Sequence, residues 1–342
     1  MGNPFRFVIV GAGNISRTYA RAIGKVDGLE LAGVVSRRSQ IPEGAPPEVP
    51  VAASLDALNV PYDAVILATP NGVHHEGAVA AAALGKHVLT EKPLDISRAA
   101  MDQMIAACDE AGVKLGVCYQ SRMNPVNRRL KEYLAAGVLG EVFATDVTIK
   151  YYRDQAYYDS AAYRGTYGLD GGGPFIQQGA HALDLYCWFF GLPETVLSMT
   201  DRFAHELEAE DHGAALLRHA NGMIGTVVAS TCTRPGFPVR FEIHGTRGSI
   251  VTENDAITFW DVDDRAPPEL TKSAKLHDGR NTAAVENTVG HEAILADFAE
   301  AVRVDRDPAV PAKSARLATE LVLRIYEAHA PRTRASRSAS PT

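Results

Sequence analysis

The chain has 342 residues, 46 % of them apolar and 22 % charged, with a formal net charge of −7. That is length and apolar material for two ordinary domains, and the acidic balance argues against nucleic acid as the main partner. No run approaches the roughly 20 apolar residues of a membrane span. The cysteines, Cys108, Cys118, Cys187 and Cys232, follow no CxxC or zinc spacing. They read as free thiols in a reducing cytoplasm, with no metal expected. Phe7–Val10 runs straight into a glycine loop without the pattern of a signal peptide, so the expected location is cytoplasmic.

Phe5–Val10 reads as a strand, Ile15–Lys25 as a helix and Leu29–Ser36 as a second strand. Asp63–Thr69 is a nearly continuous apolar run of the kind buried in parallel sheets. His74–Leu84 follows as a helix, His87–Thr90 as a strand, Ile96–Ala111 as a helix and Lys114–Tyr119 as a strand. Strands alternating with helices predict βαβ units and a parallel sheet covered on both faces.

The pattern changes after Gln120. Glu141–Tyr152 alternates as a long strand, and Asn221-Gly222 sits between the strands Ala214–His219 and Met223–Thr231 as a hairpin turn. Val239–His244 and Ser249–Thr252 flank a second glycine turn, and Glu292–Val302 and Ala315–Ala328 read as amphipathic helices. Residues 261–289 read as a long polar loop. The expected organisation is an α/β Rossmann domain over residues 1–121 and an α+β domain with a large open, mainly antiparallel sheet over 122–330. A disordered Ser/Arg/Pro-rich tail is expected over 331–342.

The first turn carries chemistry. Gly11-Ala12-Gly13-Asn14-Ile15-Ser16 joins a strand to a helix. Gly11 permits the tight turn, Gly13 lets the backbone approach a pyrophosphate, and the helix N-terminus meets its charge. The third fingerprint position holds Ser16, small enough for close packing. The second strand ends in Ser36-Arg37-Arg38, where an NAD enzyme carries an acid for the ribose 2′-hydroxyl. Arg forks fit phosphate, so NADP is expected, with NAD as the alternative.

Downstream, Pro174 suits a first helical turn. Gln177, His181 and Asp184 then fall at i, i+4 and i+7 on one face of an otherwise apolar helix. Such a stripe lines a cavity or forms a buried network. Tyr151-Tyr152-Arg153, Tyr157-Tyr158 and Tyr163-Arg164 suit a polyhydroxylated or anionic ligand, or an oligomer contact. His74-His75 is not read as a metal pair, because adjacent helical residues diverge.

Four segments together resemble the glucose–fructose oxidoreductase / inositol dehydrogenase (Gfo/Idh/MocA) family. They are the glycine loop, Thr69-Pro70-Asn71…His74, Glu91-Lys92-Pro93, and Gly171-Gly172-Gly173…Gln177…His181…Asp184. The resemblance implies an NAD(P)-dependent dehydrogenase or reductase acting on a sugar, sugar derivative or cyclitol. Gly11, Gly13, Asn14, Ile15, Ser36, Arg37, Arg38, Thr69, Pro70, Asn71 and His74 would then hold the cofactor. Glu91 and Lys92 would sit beside the nicotinamide, Gln120 would face the same crevice, and the Lys92-Pro93 bond would be cis. Substrate would meet Lys92, Arg153, Arg164, Gln177 and His181.

Gln177 departs from the family, much of which has Asp there. An amide orients a hydroxyl but takes no proton at neutral pH, so acid–base duty falls to Lys92 or His181. Asp184 is expected to orient His181. An NAD-dependent glycosidase and a non-catalytic NAD(P) sensor remain as alternatives. Only a hydride-transfer enzyme would show net turnover of the cofactor. The partners expected are a small polyhydroxylated substrate and further copies of the chain, as a homodimer or homotetramer.

Overall fold

The computed structural model describes residues 3–269 and 287–329. The expected tail and part of the expected long loop lie outside them. Six parallel strands make the first sheet: β1 (Phe5–Val10), β2 (Leu29–Val35), β3 (Val51–Ala52), β4 (Ala64–Leu67), β5 (His87–Thr90) and β6 (Leu115–Val117). Their order is β3-β2-β1-β4-β5-β6. Every residue of β4 is buried, which is why its sequence is unbroken Ala-Val-Ile-Leu. Helices α1 (Asn14–Ile23), α2 (His74–Ala83) and α3 (Arg98–Ala111) form the crossovers. The α3 helix is punctuated chemically: the Ser97 hydroxyl accepts from Ala100 N at 3.2 Å, and Gly112 ends it at φ +66°. The strand order reverses between β1 and β4, so a crevice opens at their carboxyl ends.

A 3-10 turn (Gln120–Met123) and α4 (Pro125–Ala135) lead into the second sheet. The sequence reading had no α4, although Asn124 caps it and Pro125 opens it. The second sheet comprises β7 (Val142–Lys150), β8 (Thr195–Asp201), β9 (His212–Arg218), β10 (Ile224–Ser230), β11 (Arg240–Gly245), β12 (Gly248–Glu253) and β13 (Ala256–Val262). The order is β13-β12-β11-β7-β10-β9-β8, antiparallel except between β7 and β10. Asn221-Gly222 does form the β9–β10 hairpin turn, with Gly222 at φ +86°. The sequence reading missed β8 and β13. A short helix, α5 (Gln155–Asp159), and then α6 (Ala180–Phe190) lie between β7 and β8.

Two helices close the described chain, α7 (Val289–Arg303) and α8 (Ala312–Glu327). Ile294, Leu295, Phe298 and Ala299 of α7 join the core of the first sheet, whereas Leu321, Val322 and Ile325 of α8 join that of the second. The expected 122–330 unit therefore includes a helix whose apolar face is buried against the Rossmann strands. No helix among the described residues is long and apolar enough to cross a membrane.

Candidate active site

The crevice begins at the glycine loop. Gly11 has φ +113°, and a Cβ there would stand 2.5 Å from the carbonyl oxygen of Ala68 at the end of β4. Glycine is thus required by both backbone and space. Gly13 faces open space and no side chain caps the α1 N-terminus, so its first N–H groups are available to an anion. Ser16 fits the third position: it is fully buried and its hydroxyl donates to Gly11 O at 3.1 Å. Asn14 is exposed beside the loop and accepts from Arg17 at 3.2 Å. Ile15 is half-buried against the first core. A cavity of 390 Å³ is lined by Gly13, Asn14, Arg17 and residues 40–43. These are the donors and the room that a dinucleotide pyrophosphate needs.

At the end of β2, Arg37 and Arg38 are exposed, and among the described residues no carboxylate pairs with either. Ser36 is buried, and its hydroxyl accepts from Gln40 N at 3.4 Å. That oxygen anchors its own loop, a role the sequence did not suggest.

Across the crevice, Thr69 and Pro70 are half-buried at the end of β4. Asn71 Nδ2 donates to Asp170 O at 2.8 Å, and Gly72 N donates to Leu169 O at 3.0 Å. His74 does not line the crevice. It is fully buried, with Nδ1 2.9 Å from Pro93 O and Nε2 3.1 Å from Thr69 O. Burial pushes its pKa down, and a neutral ring donates to only one of those carbonyls. The correction is that His74 braces the two loops from behind.

Glu91 is also buried. Its Oε1 accepts from Tyr19 OH at 2.7 Å and its Oε2 from Lys92 N at 3.1 Å. With Cys118 and His291 it brings three ligand-type atoms within 4.8 Å of one another. Burial pushes the Cys118 thiol and the Tyr19 phenol well up. The Glu91 carboxylate thus belongs to a buried cluster between α1, β6 and α7, which local sequence could not assemble. Gln120, half-buried at the start of the 3-10 turn, packs against Gly290 at the head of α7.

Lys92 follows, and its bond to Pro93 is cis, as expected. Its side chain is half-buried, and Nζ donates to the main-chain oxygen of Gln177 at 3.4 Å. Residues distant in sequence thus meet at the crevice. Gln177 Nε2 donates to Asp170 O at 2.7 Å, the same oxygen that receives Asn71. Asp170 O therefore joins the Rossmann loop to the second domain.

The expected stripe of Gln177, His181 and Asp184 is only partly realised. α6 starts at Ala180, so Gln177 lies in the turn before the helix. His181 packs edge-on against Tyr119 with ring centroids 5.7 Å apart. Asp184 does not serve His181: both of its oxygens are taken by Arg122, at 2.6 and 2.7 Å, in a fully buried pair. Sequence gave no sign of Arg122, because the pairing is made only when α6 docks on the 3-10 turn.

The aromatic segment forms a stacked group. The Arg164 guanidinium lies 4.4 Å from the Tyr157 ring centre, and that of Arg153 lies 5.4 Å from both Tyr151 and Tyr157. Arg164 Nε also donates to Ser160 at 3.0 Å.

Residues 5–119 match the family model for oxidoreductases with an NAD-binding Rossmann fold, and residues 127–251 match the Gfo/Idh/MocA C-terminal domain. The chain is 26 % identical over 283 residues to the rhizopine catabolism protein MocA of Rhizobium meliloti, covering 80 % of this chain and 85 % of that protein. It is 25 % identical over 228 residues to the NADP(+) scyllo-inositol 2-dehydrogenase IolW of Bacillus subtilis, covering 66 % and 62 %. Among solved structures, the WlbA dehydrogenase of Bordetella pertussis in complex with NADH and UDP-GlcNAcA is 29 % identical. It covers 95 % of this chain and 96 % of that one, with a TM-score of 0.81. Matched by these two family models over most of its length, the chain belongs to the Gfo/Idh/MocA family of NAD(P)-dependent oxidoreductases.

Proposed function

We propose that the protein transfers a hydride between a nicotinamide cofactor and an alcohol or ketone carbon of a sugar derivative, preferably one carrying an anionic group. The observation that carries this reading is Lys92 held 3.4 Å from Gln177 O at the crevice. That contact leaves two of the three ammonium N–H groups for other acceptors. When bound, the nicotinamide supplies or takes the hydride. Lys92 holds the substrate oxygen, giving it a proton during reduction and taking one during oxidation. Gln177 keeps the loop in place, and His181 lies one turn away to accept or donate a second hydrogen bond.

The anionic preference rests on the positive charge and forked geometry of Arg153 and Arg164, which gather on the Tyr157 ring. WlbA, which was solved with a sugar-acid nucleotide, supports the same class. For the cofactor, the exposed Arg37 and Arg38 favour the 2′-phosphate of NADP. The test is a dehydrogenase and reductase screen over sugars, cyclitols and sugar nucleotides with both cofactors. Turnover of neutral cyclitols alone would overturn the anionic preference. No net NAD(P)H change with any alcohol would overturn the reaction class. Tighter binding of NADH than NADPH in a fluorescence titration would overturn the cofactor preference, and Arg37→Asp should weaken NADPH binding specifically.

A further inference from the structure

Three glycines precede the turn that carries Gln177, and each is pressed against something. A Cβ on Gly171 would stand 2.5 Å from Ile96, one on Gly172 2.2 Å from the Tyr326 hydroxyl, and one on Gly173 1.9 Å from Glu210 O. The run is therefore the contact surface of a support lying beneath it, built from Glu210 and Tyr326.

Glu210 sits just before β9 and is 2 % exposed. Its Oε2 accepts from Gly173 N at 3.2 Å, and its Oε1 accepts from Tyr326 OH at 2.9 Å and from Phe175 N at 3.5 Å. These two N–H groups open a helical turn whose first rung is Gln177 N to Gly173 O at 3.1 Å. A turn that starts in this way has free donors and a positive end, and a carboxylate satisfies both. Glu210 is itself held firmly. Its neighbour Asp211 is fully buried and accepts from the backbone N–H groups of Phe203, Ala204 and His205 at 2.8, 2.8 and 3.0 Å. Ala209 N donates to Gly165 O at 2.9 Å.

We propose that Glu210, with Tyr326, is a positioning residue for the Lys92–Gln177 pair: its carboxylate caps the turn bearing Gln177 and so fixes where that carbonyl meets Lys92. The inference rests on the reading of Lys92 as the proton-transfer group. Glu210 touches no reacting atom. It acts through Gly173 and Phe175, four and two residues before Gln177. Misplacing a reacting group by about 1 Å can cost of order a hundredfold in rate, so a support this close has consequences for turnover.

The carboxylate form is the one that accepts all three donors, because a protonated oxygen must itself donate. Burial pushes the Glu210 carboxyl up to about 7, with the Tyr326, Phe175 and Gly173 bonds acting against it. The titratable groups facing it are Tyr326 from α8, Tyr167 from the loop before Gly171, and Tyr158 from α5. Burial pushes all three phenols upward. The cap should therefore loosen as pH falls through about 7.

Glu210→Gln keeps the shape and removes the charge. The first readout is hydrogen exchange of the 173–178 amides in the full-length protein, which needs no substrate. The expected result at pH 8 is protection about tenfold lower in the variant, with Tyr326→Phe intermediate. Wild-type protection should fall toward the variant's as pH drops from 8 to 6. The second readout is steady-state turnover with UDP-GlcNAcA as probe. There Glu210→Gln should lower kcat about tenfold, leave the Kd for NADPH within twofold, and remove an acid limb near pH 7 that wild type shows. Protection within twofold of wild type in Glu210→Gln would overturn the cap. An acid limb that persists unchanged in the variant would overturn its part in positioning. If wild type does not turn over the probe, the proposed substrate class fails while the exchange arm still decides the cap.

Discussion

Lys92 is the residue on which turnover should depend most. Lys92→Met keeps the length and removes the charge and donors. Turnover should drop by ~10²–10⁴-fold, with NADPH affinity close to normal in a fluorescence titration. Gln177 should behave differently. Its contact to Lys92 is through the main chain, whereas its side chain ties down Asp170 O. Gln177→Ala therefore spares the lysine contact, and is expected to raise KM more than it lowers kcat. His181→Asn should slow turnover measurably; a Gln177→Ala loss in kcat equal to that of Lys92→Met would refute this division of roles. A second expectation concerns pH and stability. Burial pushes the Glu210 carboxyl up to about 7 from the ordinary 4.5 of a free glutamate, so the native state binds more protons between those values. Global stability is therefore greatest below pH 4.5, falls as pH rises to about 7 and is flat above, because ionising the buried carboxyl costs desolvation even though the carboxylate is the form that holds the turn. Glu210→Gln removes that slope, so its stability relative to wild type should improve by about 3 kcal/mol from pH 5 to pH 8 in urea titrations. The segments carrying Lys92, Gln177 and His181 were picked out in the sequence by short motifs and the family resemblance they carry. Glu210 was not: Glu206 and Glu208, four and two residues earlier, are exposed acids in the same stretch.

At the scale of elements, the Rossmann crossovers were readable because short apolar strands alternate with helical stretches along the first third of the chain, and α3 is capped by Ser97 and ended by Gly112. The docking of α6 was not. Its apolar sequence says that the helix is buried, but only packing decides that Asp184 meets Arg122 instead of His181. This pair is fully buried, which makes a sharp prediction. Asp184→Ala leaves a buried guanidinium unpaired and should cost about 3–5 kcal/mol in denaturant titrations. Arg122→Met with Asp184→Leu should recover most of that loss, since a buried pair is often replaceable by apolar groups. A double variant as unstable as Asp184→Ala would show that the pair itself, and not its desolvation, holds the helix. Strand β8 shows the same limit from the other side. Its buried face carries Ser198, whose hydroxyl bonds Ile325 O, while Leu197 and Met199 point outward. The alternation is inverted relative to an ordinary half-buried strand, so the segment did not announce itself.

For the whole molecule, that inversion has a consequence. Leu197 pairs with Leu216, and Met199, Ile224 and Phe259 share their face of the second sheet, opposite α6 and α8. Met199 is 75 % and Leu197 61 % exposed in the single chain. Leu197, Met199 and Leu216 form an exposed apolar patch on β8 and β9, with Phe259 lying beyond Thr226, Asp146 and Glu242 on the same face; a second copy related by a two-fold axis would cover that patch. Light scattering is expected to give a dimer or tetramer, and Met199→Glu with Leu216→Glu should yield a monomer that still binds NADPH. A wild-type monomer at micromolar concentration would refute the interface. The sequence by itself determined the two-domain order, the glycine loop, and the segments that supply Lys92, Gln177 and His181. These follow from local periodicity, turn chemistry and a resemblance carried by short motifs. Only the tertiary structure decided that His74 and Glu91 are buried supports, that Asp184 belongs to Arg122, and that Glu210 and Tyr326 lie under the glycine run. Those facts depend on contacts between residues tens to hundreds of positions apart. Such contacts are set by how helices pack on sheets, and no short stretch of chain encodes them.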